Sequence, residues 1–478
     1  MQMEPNRPKP APSAEAGGAR TLGEVSFWYA DIGLPQTRRA PLDGDTRADV
    51  AIVGAGYTGL WAAYYLKRAD PSLDILVIEK DFAGYGASGR NGGWLTGGFA
   101  WNHARYAQVS GRDPVRAMVR AMNGTVDEVI RVAEAEGIEA DILRTEELMV
   151  AVNAPQHDRM KEEVAHRRAW GEEERVFEIG GAEARARVAV PGIVGGMIVR
   201  NVARIQPAKL VRGLAEAVER LGVRIVEATE VTALHPGRVK TARGDVSAPR
   251  ILRCTEGFTA TLPGLSREWL PLNSAQIATE PLPQSVWDEI GWQGHEIFGD
   301  FANTYCYCQR TREGRITVGS RGVPYRWGSR PDDNGRPDAE TVRRLTRILH
   351  RHFPAARPYA IDHAWCGVLG VPRDWCATVG LDPETGIGWA GGYVGVGVST
   401  ANLAGRTLAD LARGRQSDLT RLPWVNRRVE SWEREPWRWL GVHGMYALYA
   451  AADRAEARQG AMHPSRLAAL GNRLTGRG

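Results

Sequence analysis

The chain has 478 residues, 43% hydrophobic and 24% charged, the composition of a globular protein with room for two domains around separate cores. Lys+Arg 61 against Asp+Glu 56 leaves only +5, with no basic block, which excludes nucleic acid as a partner. Five cysteines without CxxC spacing exclude a zinc module and a disulfide framework, and no apolar run is long enough to span a membrane, so a reduced, cytoplasmic protein is expected.

In chain order, residues 1–20 are rich in Pro, Ala and charge and read as a disordered tail. "SFWYADIG" is a short aromatic segment that packs on the body. "ADVAIVG" is a buried parallel strand, "YTGLWAAYYLKRA" a helix by its apolar spacing and "DILVIEK" a second buried strand, together a βαβ unit. Helices are predicted over 113–136, 155–171, 208–221 and 338–353. Short strands follow from "VRIVEATEVTAL" to "RILRCTEG", and "IATEPL", "TYCYCQR" and "RITVGSR" form an antiparallel sheet. "GIGWAGGYVGVGVSTANLAGRTLADL" reads as strand, glycine turn and helix, and a Trp-rich stretch closes the chain in an amphipathic helix.

The turn "GAGYTG" has the context that a dinucleotide site needs. Gly54, Gly56 and Gly59 let the chain turn, let a pyrophosphate approach the helix N-terminus and let helix pack on strand; Glu79 ends the next strand, where a ribose hydroxyl sits. A second GxGxxG, in "GYGASGRNGGWLTGG" (84–98), follows the acid-bearing strand and carries too many glycines for a helix. It is a loop, and Ser88, Arg90 and Asn91 within it suit an anion-binding nest beside a cofactor.

These motifs, with "AGGYVGVGVSTANLAGRTLADL", occur in the order seen in FAD-dependent oxidoreductases of the D-amino acid oxidase superfamily. The chain resembles that family from about residue 25 to 425, and within it the branch named for gamma-glutamylputrescine oxidoreductase. The resemblance implies an α/β (α+β overall) fold, a Rossmann-like FAD-binding domain interleaved with an antiparallel-sheet substrate domain. It places FAD-binding segments at 21–100, 195–265 and 365–425, substrate segments at 101–194 and 266–364, and a helical extension at 426–478.

The resemblance also assigns roles. Gly54, Gly56, Tyr57, Thr58, Gly59, Glu79 and Lys80 belong to the adenosine end, with Val231 near adenine and Thr255 near the pyrophosphate. The 84–98 loop wraps the phosphate and ribityl region, with Gly86, Ala87, Ser88, Arg90 and Asn91 as contacts and Gly92 and Gly93 giving the flavin ring room. Gly392, Val394, Gly395, Val396 and Gly397 bring amides to the pyrimidine edge, and Gly367 lies beside them. Val396 stands where relatives often carry His.

Trp94 and Tyr393 would flank the reacting ring. Tyr305, Tyr307 and Gln309 share one face of "NTYCYCQR", as does Asn303, and that face is either the substrate wall or sheet packing. Cys366 falls near the position where some relatives attach FAD covalently. Thr317 stands where oxidases of the sarcosine type place an oxygen-activating Lys, so O2 or another carrier is the electron acceptor. Arg321, Arg326 and Arg330 either meet a substrate carboxylate or form a solvated surface.

The expected activity is oxidation of a C–N bond of an amine or amino acid to an imine by hydride transfer to flavin N5. The alternatives are a flavin enzyme of specialised metabolism acting on a larger nitrogenous compound, and a subunit that holds FAD without turnover. No metal site is expected.

Overall fold

The computed structural model describes residues 18–320, 325–458 and 461–475. At its centre, Val50–Val53 and Ile75–Ile78 are fully buried strands that pair in parallel. Their β-branched, uninterrupted apolar runs suit a sheet covered on both faces. The sheet reads, by neighbours, Thr378–Leu381, Ile387–Gly391, Arg250–Arg253, Val50–Val53, Ile75–Ile78 and Arg224–Val226. Helices Tyr57–Ala69, Arg112–Ala135, Pro207–Arg220 and Gly397–Ala412 supply apolar faces to the largest core, which also contains Val50, Ile52 and Leu252.

A ten-stranded mixed sheet forms the second body. Leu270–Thr279 lies between Ile361–Val371 and Ile316–Ser320, and Cys306–Arg310 pairs with the latter. Strict alternation divides its faces. Ile277, Cys306, Cys308, Val318 and Cys366 enter a core behind the sheet, under helix Ala339–His352. Ser274, Gln276, Tyr307 and Gly367 face the nucleotide-type domain.

The expected α/β architecture is present, and several expected boundaries move. Strands Gly195–Arg204 and Ile361–Val371 belong to the ten-stranded sheet, because their alternate side chains fill its cores. Helix Arg112–Ala135 belongs with the nucleotide-type domain, whose core takes its Val115, Met118 and Val126 face. Residues 1–17 of the expected tail lie outside the described residues; Ala19–Leu22 is a strand beside Ile361–Val371, and Arg20 pairs with Glu280 at 3.1 Å.

Helix Trp437–Glu456 and the segment before it cover the ten-stranded sheet. Trp432 and Val442 pack on Leu270, Leu272 and Val371, and Asp453 accepts hydrogen bonds from the backbone amides of Asn303 and Thr304 at 2.7 and 2.9 Å.

Behind the sheet lies a buried ionic cluster of Asp300, Cys306 and His352. His352 Nδ1 faces the Ile348 carbonyl at 3.0 Å and Nε2 faces Asp300 at 3.1 Å. Both oxygens only accept, so the ring is an imidazolium with no lone pair for a metal. Burial opposes its charge, but the Cys306 sulfur and the Asp300 carboxylate hold it up, to about 10. Burial raises Asp300, and the hydrogen bond and charge of His352 outweigh that and hold it low.

The His352 contribution is therefore complete below its unfolded value and is lost as pH rises toward 10. The Asp300 contribution is lost in acid, below the ordinary carboxylate range. The melting temperature of the wild type should fall between pH 7 and 10, whereas that of His352→Gln should start lower and fall less. Parallel curves would remove the pair from the stability balance.

Candidate active site

The first glycine turn opens on a cavity of about 1070 Å³ that runs from Glu79 and Val231 to the ten-stranded sheet. Two helix N-termini border it, at Tyr57 and at Gly397, each directing positive dipole charge toward it. Gly59 serves packing: a Cβ there would lie 2.0 Å from the Gly54 carbonyl, so helix and strand could not close. Gly395 serves conformation, with φ 103° on the cavity wall.

Glu79 is a half-buried carboxylate that accepts from the amides of Ala55 and Asp81, both at 2.9 Å. Burial pushes it up to about 7. Lys80 borders the cavity and pairs with Glu230 at 2.7 Å.

The second glycine segment docks on the first. Ser88 Oγ accepts the Tyr57 amide at 2.8 Å, which joins the two motifs directly. The aromatic N-terminal helix Phe27–Ile32 then holds the loop: Ser26 donates to the Gly89 carbonyl and Trp28 Nε1 to the Asn91 carbonyl, both at 2.7 Å. Asn91 shapes its own turn, donating to Ser88 O and accepting the Gly93 amide.

Of the residues singled out by sequence, 54, 56–58, 79, 80, 86–88, 90–92, 94, 231, 255, 305, 307, 367, 393–397 border this one cavity. Tyr57 contributes backbone there, since its hydroxyl reaches the Pro207 carbonyl in the core. Tyr393 donates or accepts with Thr58 Oγ1 at 2.9 Å, and Trp94 Nε1 donates to the Cys308 carbonyl at 3.1 Å, which fixes both rings. Tyr307 packs edge-on to Trp94 and hydrogen-bonds Ser274 at 2.8 Å.

Five expectations are corrected. Arg90 borders the cavity, but its side chain is 0% exposed: Nε donates to Tyr85 O at 2.6 Å and Nη1 to Asp332 at 2.6 Å and Cys366 O at 3.3 Å, while Nη2 is buried without a partner among the described residues. It is an internal strut, not a phosphate contact. Gln309 lies beyond the cavity and donates to the carbonyls of Gly93 and Ile205 at 2.9 and 3.1 Å, so it clamps the loop instead of meeting substrate. Gly93 is covered by that same amide. Gly392 donates its amide to Glu256 and accepts from Trp101 Nε1. Cys366 points behind the sheet, because on this strand Gly367 takes the cavity side; burial pushes its thiol up to about 12, which removes the thiolate a flavin linkage needs.

Among the other candidates, Asn303 meets Asp453, and Thr317 is buried with its hydroxyl 3.5 Å from the Gln309 carbonyl. Arg326 and Arg330 bond backbone carbonyls outside the cavity, and Arg321 lies outside the described residues.

Glu256 carries a role that no sequence pattern announced. It is half-buried, desolvation pushes it up to about 7, and it accepts the amides of Gly370, Gly392 and Tyr393, tying the two domains at the 392–393 turn. Gln276 and Trp365 were also missed; both donate to the Arg90 carbonyl, at 2.8 and 2.9 Å. Strand alternation alone cannot distinguish such a donor from any polar residue at a sheet face.

A carboxylate at the end of the second strand, two helix N-termini and an unbroken cavity to an aromatic wall fit a dinucleotide with a ring at its far end. The site and fold define a flavin-dependent oxidoreductase. A sequence profile described as "DAO: FAD dependent oxidoreductase" matches residues 49–411, and the chain belongs to that family, with FAD as its cofactor. Gamma-glutamylputrescine oxidoreductase of Escherichia coli (strain K12) is 29% identical over 403 residues, 82% of this chain and 89% of the relative.

Two solved structures share the fold. Glycine oxidase from Geobacillus kaustophilus has a TM-score of 0.66 at 20% identity, covering 80% of this chain and 99% of its own. L-proline dehydrogenase from P. horikoshii has 0.65 at 19%, covering 80% and 98%. Among the described residues, no helix is long and apolar enough to cross a membrane.

Acid precipitation of the flavoprotein should leave all flavin in the supernatant, and Cys366→Ser should behave identically. Flavin retained in the wild-type pellet and released in the variant would show that the strand presents Cys366 to the cofactor.

Proposed function

We propose that the protein oxidises a C–N bond of an amine or amino acid to an imine. The supporting observation is that one cavity joins the dinucleotide turn to a wall of Trp94, Tyr305, Tyr307 and Tyr393. Bound there, FAD supplies a two-electron acceptor.

In this reading, Glu79 accepts the ribose hydroxyls, offsetting part of its burial, with Val231 beside the adenine. The N-terminus of Tyr57–Ala69, with Ser88 and Thr255, holds the pyrophosphate. The turn 394–397 directs the N-terminal dipole of the last Rossmann-side helix at the far end of the cofactor, where added negative charge is stabilised.

The aromatic wall excludes water and disfavours an ammonium, so the substrate amine sheds its proton before reaction. Burial holds both Tyr307 and Tyr393 above the ordinary phenol range, so they stay protonated and act as hydrogen-bond donors and walls, not as bases. Loss of the C–H, one N-bound proton and two electrons converts amine to imine, and water then yields a carbonyl compound and the released amine. Orientation of the amine against the wall is the protein's main task.

Anaerobic titration with primary amines, secondary amines and amino acids should bleach the visible flavin absorbance with at least one of them. Bleaching only by alcohols or hydroxy acids would contradict the proposal.

A further inference from the structure

Beyond the aromatic wall, the same cavity extends into a lobe between the segment 96–104 and helix Ala154–Ala169. Its deep end carries Glu147, 9% exposed, on strand Leu143–Ala151. Thr96 donates to this carboxylate at 3.2 Å. Among the described residues, no cation lies within ion-pairing distance of it: Arg167, which also borders the cavity, and Arg175 both pair with Glu172, at 2.8 and 3.1 Å, and their charges reach Glu147 only from farther off. A buried carboxylate without a direct ion pair is costly, and a cation bound against it lowers that cost.

The walls point the same way. Phe99 and Trp101 border the lobe, and π faces attract cations; Trp170 borders it too, but its ring already carries Arg112 at 4.5 Å and His103. His103 is stacked between Phe99 at 4.3 Å and Trp170 at 4.9 Å, and it is 5% exposed. Its Nδ1 meets His166 at 3.1 Å, while its Nε2 is buried without a hydrogen-bond partner among the described residues. Burial, with His166 and Arg167, pushes His103 down to about 3, so the ring adds no positive charge to the lobe. At the rim, Glu163 and His166 are exposed, which adds a negative charge at the entrance.

The lobe also adjoins the reacting end. Thr96 follows Trp94 by two residues, and its carbonyl accepts from Ser399 in the first turn of helix Gly397–Ala412 at 2.6 Å. A ligand in the lobe therefore extends from the aromatic wall.

We infer that this lobe binds a second positive charge of the substrate, so that the substrate class is an amine carrying a distal ammonium, such as a diamine. The inference rests on the amine-oxidation reading for what happens at the other end of the molecule. Glu147 and the rings are binding groups that set specificity; the nitrogen that reacts lies at the wall of Trp94 and Tyr307.

The test uses the holoprotein and two alkyl chains of equal length, one ending in a quaternary trimethylammonium and one in the neutral, isosteric tert-butyl group. Neither has a nitrogen lone pair, so calorimetry reads binding without turnover. The charged probe should bind roughly tenfold or more tighter to the wild type, and Glu147→Gln should erase most of that difference. Equal affinities in the wild type, or an unchanged difference in Glu147→Gln, would overturn the inference. Should Glu147→Gln fail to fold, the wild-type pair of probes decides alone. The same holoprotein is then titrated anaerobically with a diamine and a monoamine of equal length. Probe selectivity without bleaching by any amine would defeat the oxidation reading and leave the lobe; bleaching without selectivity would do the reverse.

Discussion

Arg90 holds the two halves of the molecule in register. Its side chain is 0% exposed and that of its partner Asp332 only 2%, so neither charge is solvated by water and each depends on the other. The guanidinium also satisfies the carbonyls of Tyr85 and Cys366 and stacks over the Tyr85 ring, 4.2 Å from its centroid. The backbone carbonyl of the same residue takes Gln276 and Trp365 from two strands of the large sheet. One residue thus joins the second glycine loop to the sheet that forms the opposite wall of the cavity.

From that strut the rest of the site follows. Ser88 reaches back to the first glycine turn, while Ser26 and Trp28 hold the loop from the N-terminal side. Gln309 and Glu256 close the remaining gaps, the first between loop and sheet, the second between the 392–393 turn and the Ile361–Val371 strand. The cavity is consequently a space between two domains that buried polar bonds join. Such bonds are costly to leave unpaired, which gives the interface one geometry instead of many.

Much of this was legible in the sequence, and for a physical reason. The βαβ unit at 50–78 is read from local periodicity and glycine spacing, which do not depend on what packs against them. The same holds for the helices at 112–135 and 207–220 and for the division of Tyr307 from Cys306 by strand alternation. The partners of buried polar groups were not legible. Arg90 and Gln309 look like ligand contacts in sequence because both are polar and lie near or opposite glycines; only the three-dimensional return of residue 332 and of Ile205 shows their bonds already made. Cys366 was misplaced because one residue of slip on a strand exchanges the cavity face for the core. Glu147, in a stretch where the sequence shows no motif, gains its meaning from Phe99 and His103, which arrive from another part of the chain.

The central claim is that Arg90 and Asp332 act as one buried unit and that the cofactor cavity depends on it. A double-mutant cycle with Arg90→Met and Asp332→Leu, read by unfolding free energy and by flavin retention, tests this most directly. Each single change should cost about 3–5 kcal/mol and reduce bound FAD, and the double variant should recover part of both losses because no lone charge remains buried. Additive losses, or a loss of flavin confined to Arg90→Met with stability unchanged, would contradict the account and return Arg90 to the role of a phosphate contact.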